Sequence, residues 1–223
     1  MKTILCEPDV SNFTKSFKSI GYNHYSAILD LIDNSVSAGA TKVWIDYSKE
    51  KKGNYKTVIA DNGCGMDRNE LIEAMRIASS DPTTARLGKD LGKFGLGLKL
   101  ASFSQTDHFT VITLKKGEKP CALTWDLDFV RKEKKWLLQE SDGLSFIKPK
   151  SHGTEVILFQ VFKGIAINED QVFAKLRTHI AVAYSLMKGI KFFINDKEIE
   201  PIDPFFSDSL ASNHSSLENV YLD

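Results

Sequence analysis

A chain of 223 residues, 42% hydrophobic and 26% charged, has the make-up of a globular protein able to bury one sizeable core, so one compact unit is expected. Lys and Arg together number 29, as do Asp and Glu, which excludes a global positive field that would gather nucleic acid phosphates. No apolar run approaches the roughly 20 residues that cross a bilayer, MKTILCEPDV lacks the core and cleavage site of a secretory signal, and Cys6, Cys64 and Cys121 form no CxxC pair; a cytoplasmic chain with no membrane association, zinc site or disulfide framework is expected.

In chain order, the first element is a helix over 22–40, where Ile28, Leu29, Leu31, Ile32 and Val36 recur at helical spacing and Gly39 stands at the stop. Residues 41–47 and 55–60 are rich in β-branched and aromatic side chains on either side of a polar turn, and predict a hairpin. Asp67 with Glu70 three residues on predicts a capped helix to about 78. The stretch 79–92 has no apolar period, carries Pro82, Arg86, Gly88 and Lys89, and is expected to be a mobile loop. A short helix at 95–102 follows, then strands at 108–114, 122–129, 135–139 and 154–161. An amphipathic helix opens at Asn168 or Glu169 and runs to about 187, and a last hairpin pairs 191–194 with 198–199 around Asn195-Asp196. Helices and strands mix without a βαβ rhythm, which points to an α+β fold with helices on one face of a mostly antiparallel sheet. The serine- and asparagine-rich end, 207–223, reads as a flexible tail or a boundary.

Four segments carry chemistry. On the first helix, Asp30 and Asn34 are four apart and so share a side. Oxygen ligands suit magnesium, and a neighbouring carboxylate can orient a water for attack. Asp61-Asn62-Gly63-Cys64-Gly65-Met66 follows an apolar strand; its glycines permit a tight turn close to a flat ligand, and its carboxylate can accept from an exocyclic amine. The stretch 88–99, with Gly88, Gly92, Lys93, Gly95, Gly97 and Lys99 opening a helix, offers backbone amides and ammonium groups to a phosphate chain, although its spacing is neither that of a P-loop nor of a dinucleotide fingerprint. The fourth, Ser151-His152-Gly153-Thr154, heads a strand. Taken singly, these also read as solvated helix positions, turns and a surface loop.

Taken together and in this order, SAILDLIDNSVSAGAT, VIADNGCGMD, LGKFGLGLKLAS and SHGTEVIL resemble the N-box, the adenine-binding motif, the lid motif and the later threonine strand of the GHKL superfamily, which includes gyrase B, the ninety-kilodalton heat-shock chaperone, histidine kinases and MutL. GKFGLGLKLAS with FTVIT, and later INDKEIEPIDPF, is most similar to the MORC-type branch and its prokaryotic relatives. The resemblance implies a Bergerat-type two-layer sandwich over about 1–206, with helices on one face of a mixed, mostly antiparallel sheet, normally followed by a transducer-like domain. It implies ATP and Mg2+ as cofactors. Asn34 becomes the magnesium ligand; Asp61, with Gly63, Gly65, Met66 and Thr154, lines the adenine side; and Lys93, Gly95, Leu96, Gly97, Leu98 and Lys99 surround the phosphates.

Hydrolysing members carry glutamate where this chain has Asp30, so slow turnover with Asp30 as the base is expected, Asp33 being the alternative. The function expected is Mg-dependent ATP binding and slow hydrolysis, with lid closure and a nucleotide-dependent homodimer switching action on a protein client or, through other regions, on DNA. Two alternatives stay open: a module that senses ATP or ADP without hydrolysis, and a histidine-kinase-like phosphotransferase, which the surroundings of His24 disfavour.

Overall fold

The computed structural model describes residues 9–16, 22–50, 54–77, 97–141, 151–162, 168–187 and 189–202. Its elements are α1 (Val10–Ser16), α2 (His24–Ser37), β1 (Lys42–Lys49), β2 (Tyr55–Asp61), α3 (Arg68–Met75), α4 (Gly97–Gln105), β3 (His108–Leu114), β4 (Cys121–Asp126), α5 (Leu127–Glu133), β5 (Gln139–Glu140), β6 (Gly153–Val161), α6 (Glu169–Ala183), β7 (Lys191–Ile194) and β8 (Lys197–Glu198). The strands form one eight-stranded sheet in the order β5-β4-β3-β6-β2-β1-β7-β8. Every pairing is antiparallel except β1 with β7, so the sheet is mixed and mostly antiparallel, as the α+β reading requires.

Strand alternation gives the sheet two faces. Val43, Ile45, Ile59, Phe109, Val111, Leu123, Trp125, Leu158, Phe192 and Ile194 join the main core, which takes in Ala27, Ile28, Leu31 and Ile32 of α2, Leu71 and Met75 of α3, Phe103 of α4, Val130 of α5, and Leu176 and Ile180 of α6. The alternate positions Val58, Ala60, Ile112, Ala122 and Ile157 form a smaller apolar cluster with Trp44 and Phe159.

Several boundaries follow from local chemistry. Asn23 caps α2 by accepting the Ser26 N–H at 2.9 Å. At its far end Gly39 takes φ +72, a left-handed conformation that glycine adopts without the clash a Cβ brings. The capping box at α3 forms as read, with Asp67 accepting from Asn69 and Glu70 N–H groups and Glu70 accepting from Asp67 N–H. Lys115 reaches back to Asp67 at 3.2 Å and to Glu70 at 2.8 Å, tying the start of α3 to the end of β3.

Two strand expectations are corrected. The strand read at 122–129 stops at Asp126, whose carboxylate accepts the Asp128 and Phe129 N–H groups and turns 127–133 into α5. The strand read at 135–139 is confined to Gln139–Glu140. Helix α1 was outside the sequence reading. The loop read at 79–92 and the tail at 207–223 lie outside the described residues. No described helix is long and apolar enough to cross a membrane.

Candidate functional site

The site is built where β2 ends. Asp61 is 5% exposed, yet both its oxygens are engaged. Oδ2 accepts the Ser35 hydroxyl at 2.9 Å and Oδ1 the Gly63 N–H at 2.8 Å. Ser35 can reach because it falls on the buried stripe of α2 with Ala27, Ile28, Leu31 and Ile32. Burial pushes the Asp61 carboxyl above the usual carboxylate range, opposed by the Gly63 N–H, the Ser35 hydroxyl, the Thr154 backbone and the nearby His152 ring.

Neighbouring strands extend this floor. Thr154 of β6 stands opposite Asp61, and Thr113 of β3 opposite Thr154. The Thr113 Oγ1 accepts the Met66 N–H at 2.8 Å and lies 3.2 Å from Thr154 Oγ1, so the turn after Asp61 is stitched to both strands. His152 Nδ1 lies 2.7 Å from the Gly63 carbonyl oxygen; a carbonyl only accepts, so Nδ1 carries the proton. Asn62 bonds the Thr41 and Lys42 N–H groups at 2.9 and 2.8 Å, holding the start of β1.

Two glycines make these approaches possible. A Cβ at Gly63 would stand 2.7 Å from Ala38 Cβ, where the Cys64 N–H bonds the Ala38 carbonyl. Gly65 has φ +67, and a Cβ there would lie 2.0 Å from the Leu114 carbonyl oxygen. The backbone Gly65 lets in is therefore that of β3.

The outward side of α2 is held differently. Asn34 is exposed, and Asp30, one turn earlier, is partly exposed. Tyr22 donates to Asp30 Oδ2 at 2.6 Å, and burial, this bond and the Asp30 charge raise the phenol's pKa to about 12. Asp33 turns instead toward α6: the Tyr184 hydroxyl lies 2.6 Å from its Oδ1 and 3.1 Å from the Leu29 carbonyl. Burial raises the Asp33 carboxyl, the Tyr184 bond opposes this, and the Asp30 charge adds to the rise. Of the two acids, Asp33 is the one committed to clasping helices together.

On the third side, Gly97 begins α4, with open space where a Cβ would point. Leu98 packs on the main core. Lys99 departs from the expectation of an ammonium beside phosphates. Its side chain is buried, its Nζ donates to the Ala74 carbonyl at the end of α3 at 2.9 Å, and burial lowers its pKa to about 8. Lys93, Gly95 and Leu96 lie outside the described residues.

The structure thus gathers Asp61, Gly63, Gly65, Met66 and Thr154 on one floor, places Asp30 and Asn34 on the outward side of the helix whose Ser35 reaches that floor, and turns Lys99 to a structural bond. Sequence reasoning passed over Ser35, Thr113, His152, Tyr22 and Tyr184. Ser35, Thr113 and His152 sat inside quoted motifs, whereas Tyr22 and Tyr184 carried no local signal.

Residues 22–154 match the model of the histidine kinase-, DNA gyrase B- and HSP90-like ATPases, more than half of the chain. The chain belongs to that family. Its relatives include the ATPase MORC2B of Mus musculus, 31% identical over 99 residues, which is 44% of this chain and 10% of that protein. The DNA mismatch repair protein MutL of Chlorobium phaeovibrioides is 34% identical over 102 residues, 45% of this chain and 16% of that protein. The chaperone protein HtpG of Francisella tularensis subsp. holarctica is 29% identical over 162 residues, 67% of this chain and 23% of that protein. The matches therefore span a quarter or less of these relatives' own lengths. Membership of this ATPase family implies ATP binding and hydrolysis, and the relatives place the chain in the GHKL superfamily with MORC-like kin.

Proposed function

We propose that this domain binds ATP with magnesium and hydrolyses it slowly, Asp61 recognising the adenine, Asn34 holding the metal and Asp30 acting on the water. The observation that carries this reading is the buried Asp61 carboxylate, fixed by Gly63 and by Ser35 of α2, the helix that also carries Asp30 and Asn34. An acceptor locked in place before binding suits an exocyclic amine, because no side-chain freedom is lost on contact. Asn34 offers an exposed amide oxygen, which fits an ion held by few protein groups and completed by waters and phosphates. Bound magnesium would supply charge neutralisation on the phosphates. The chain's own part is to orient: Tyr22 holds one Asp30 oxygen, leaving the other for a water.

Gly63, Gly65, Met66 and Thr154 would border the base, and Lys93, Gly95, Leu96, Gly97 and Leu98 the phosphate side, within a unit spanning about 1–206. Lid closure and dimerisation would carry the nucleotide state to another macromolecule; relatives named as a chaperone and as a DNA mismatch repair protein favour that use. A cytoplasmic location goes with this reading.

One observation favours a second reading, an ATP or ADP sensor without turnover. Aspartate is a methylene shorter than glutamate, and Asp30 already spends one oxygen on Tyr22. Phosphotransfer through His24 is disfavoured because its Nδ1 and Nε2 lie 2.8 Å from Gln105 Oε1 and the Tyr47 hydroxyl respectively.

Magnesium-dependent phosphate release by the wild type and Asp30→Ala separates the readings. Hydrolysis predicts a fall of about a hundredfold with ATP affinity kept. Measurable affinity without turnover in the wild type selects the sensor, equal rates in the two proteins remove Asp30 from the chemistry, and absence of ATP binding ends both readings.

A further inference from the structure

A cavity of about 480 Å³ lies beside α3, and none of its described lining residues belongs to the set around Asp61. Its walls are aromatic: Trp125 and Trp136 meet nearly at right angles with ring centres 6.1 Å apart, and Phe13 of α1 stands edge-on to Trp136 at 5.6 Å. Ile72, Ile77 and Leu138 add to the apolar lining, and Arg76 is the one charged residue among the described residues on it.

Among the described lining residues the charge comes from that arginine, and the two indoles are the neutral N–H donors. The Trp125 Nε1 already donates to the Met75 carbonyl at 3.0 Å, so this indole N–H is already engaged. Among the described residues Arg76 pairs with Glu73 at 2.9 Å, three residues back on the same helix, and both side chains are more than half exposed (62% and 57%). Such a surface pair contributes little, so an incoming carboxylate can replace Glu73 at small cost and gain a two-pronged bond. Flat rings suit walls set edge-on to one another, and a volume of this size matches a small organic ligand. We infer that the cavity between α1, α3 and the β4–β5 flank is a second ligand site, which takes a small, flat, apolar molecule bearing one carboxylate and lies apart from the nucleotide.

The test uses the full chain with 2-naphthylacetate and its neutral analogue 2-naphthylacetamide. Two of the three tryptophans line the cavity, so intrinsic fluorescence reports occupancy, with calorimetry as the second readout. The acid is expected to bind about tenfold tighter than the amide. Arg76→Gln, an exposed change that leaves the core intact, should abolish that ratio while keeping the amide's affinity. Ile72→Trp, which fills the cavity, should remove both ligands, and unchanged thermal unfolding would certify its fold. An excess of ATP should displace neither. Absence of saturable binding, equal affinity for acid and amide, a ratio untouched by Arg76→Gln, or displacement by ATP would each overturn the inference. None of these outcomes depends on hydrolysis at Asp30.

Discussion

The two halves of the candidate site are engineered on different principles. The floor around Asp61 is over-determined: strands, a turn and a helix converge there, and beside the local Gly63 to Asp61 bond the turn is held by Ser35, Thr113 and His152, each distant in sequence. The outward side of α2 rests on two tyrosines, Tyr22 bound to Asp30 and Tyr184 bound to Asp33 and the Leu29 carbonyl, and leaves Asn34 exposed. Recognition of a base needs fixed acceptors, whereas a metal and a water must come and go, so rigidity is concentrated where the ligand is read.

If that contrast is right, the floor should punish small changes most. Gly65→Ala puts a Cβ 2.0 Å from the Leu114 carbonyl oxygen at φ +67, and should cost about 3 kcal/mol in denaturant unfolding. A variant as stable as the wild type would break the picture of a rigid floor. Next in size, Asp61→Asn should weaken ATP about 30-fold by calorimetry and narrow the preference for ATP over GTP, since an amide can turn a donor toward the amine where a carboxylate cannot. Retained affinity and preference would move base recognition elsewhere.

The helix face should respond more gently. In the folded chain the Asp33 carboxyl titrates above its ordinary 3.8, so the stability it contributes is complete below that value and is lost as pH rises through the raised folded pKa. Asp33→Asn, which still accepts from Tyr184, should therefore gain thermal stability over the wild type as pH goes from about 4 to about 7, by about 2 °C after allowance for its partial exposure. A gap that narrows with pH contradicts the assignment. Smallest of all, Tyr22→Phe should lower kcat about threefold with KM unchanged, the mark of a group that positions Asp30 and does not bind substrate. A rise in KM alone would show Tyr22 to be a binding group.

Much of this was readable from the sequence. The apolar stripe of α2, the Asp67 capping box and the β1–β2 hairpin are local signals, and local signals translate directly into elements. Asp126 misled because a cap and a strand end look alike when the preceding residues, ALTW, favour a strand. The order of the motifs indicated the family, yet which way Asp33 and Lys99 turn was decided by partners distant in sequence, Tyr184 in one case and the Ala74 carbonyl in the other. Spacing fixes the side of a helix a residue occupies; it carries no information on what will be standing there.

The parallel pairing of β7 with β1 has a practical corollary. Residues 191–194 cover the edge of a strand that would otherwise present a row of unsatisfied backbone groups to solvent, and Phe192 and Ile194 seal the adjoining core. Because the family match ends at 154, a fragment trimmed to it would lose that cover together with β6, and would be prone to pair with its own copies through the bared edges. A fragment that keeps both of these edges covered therefore extends through the final hairpin.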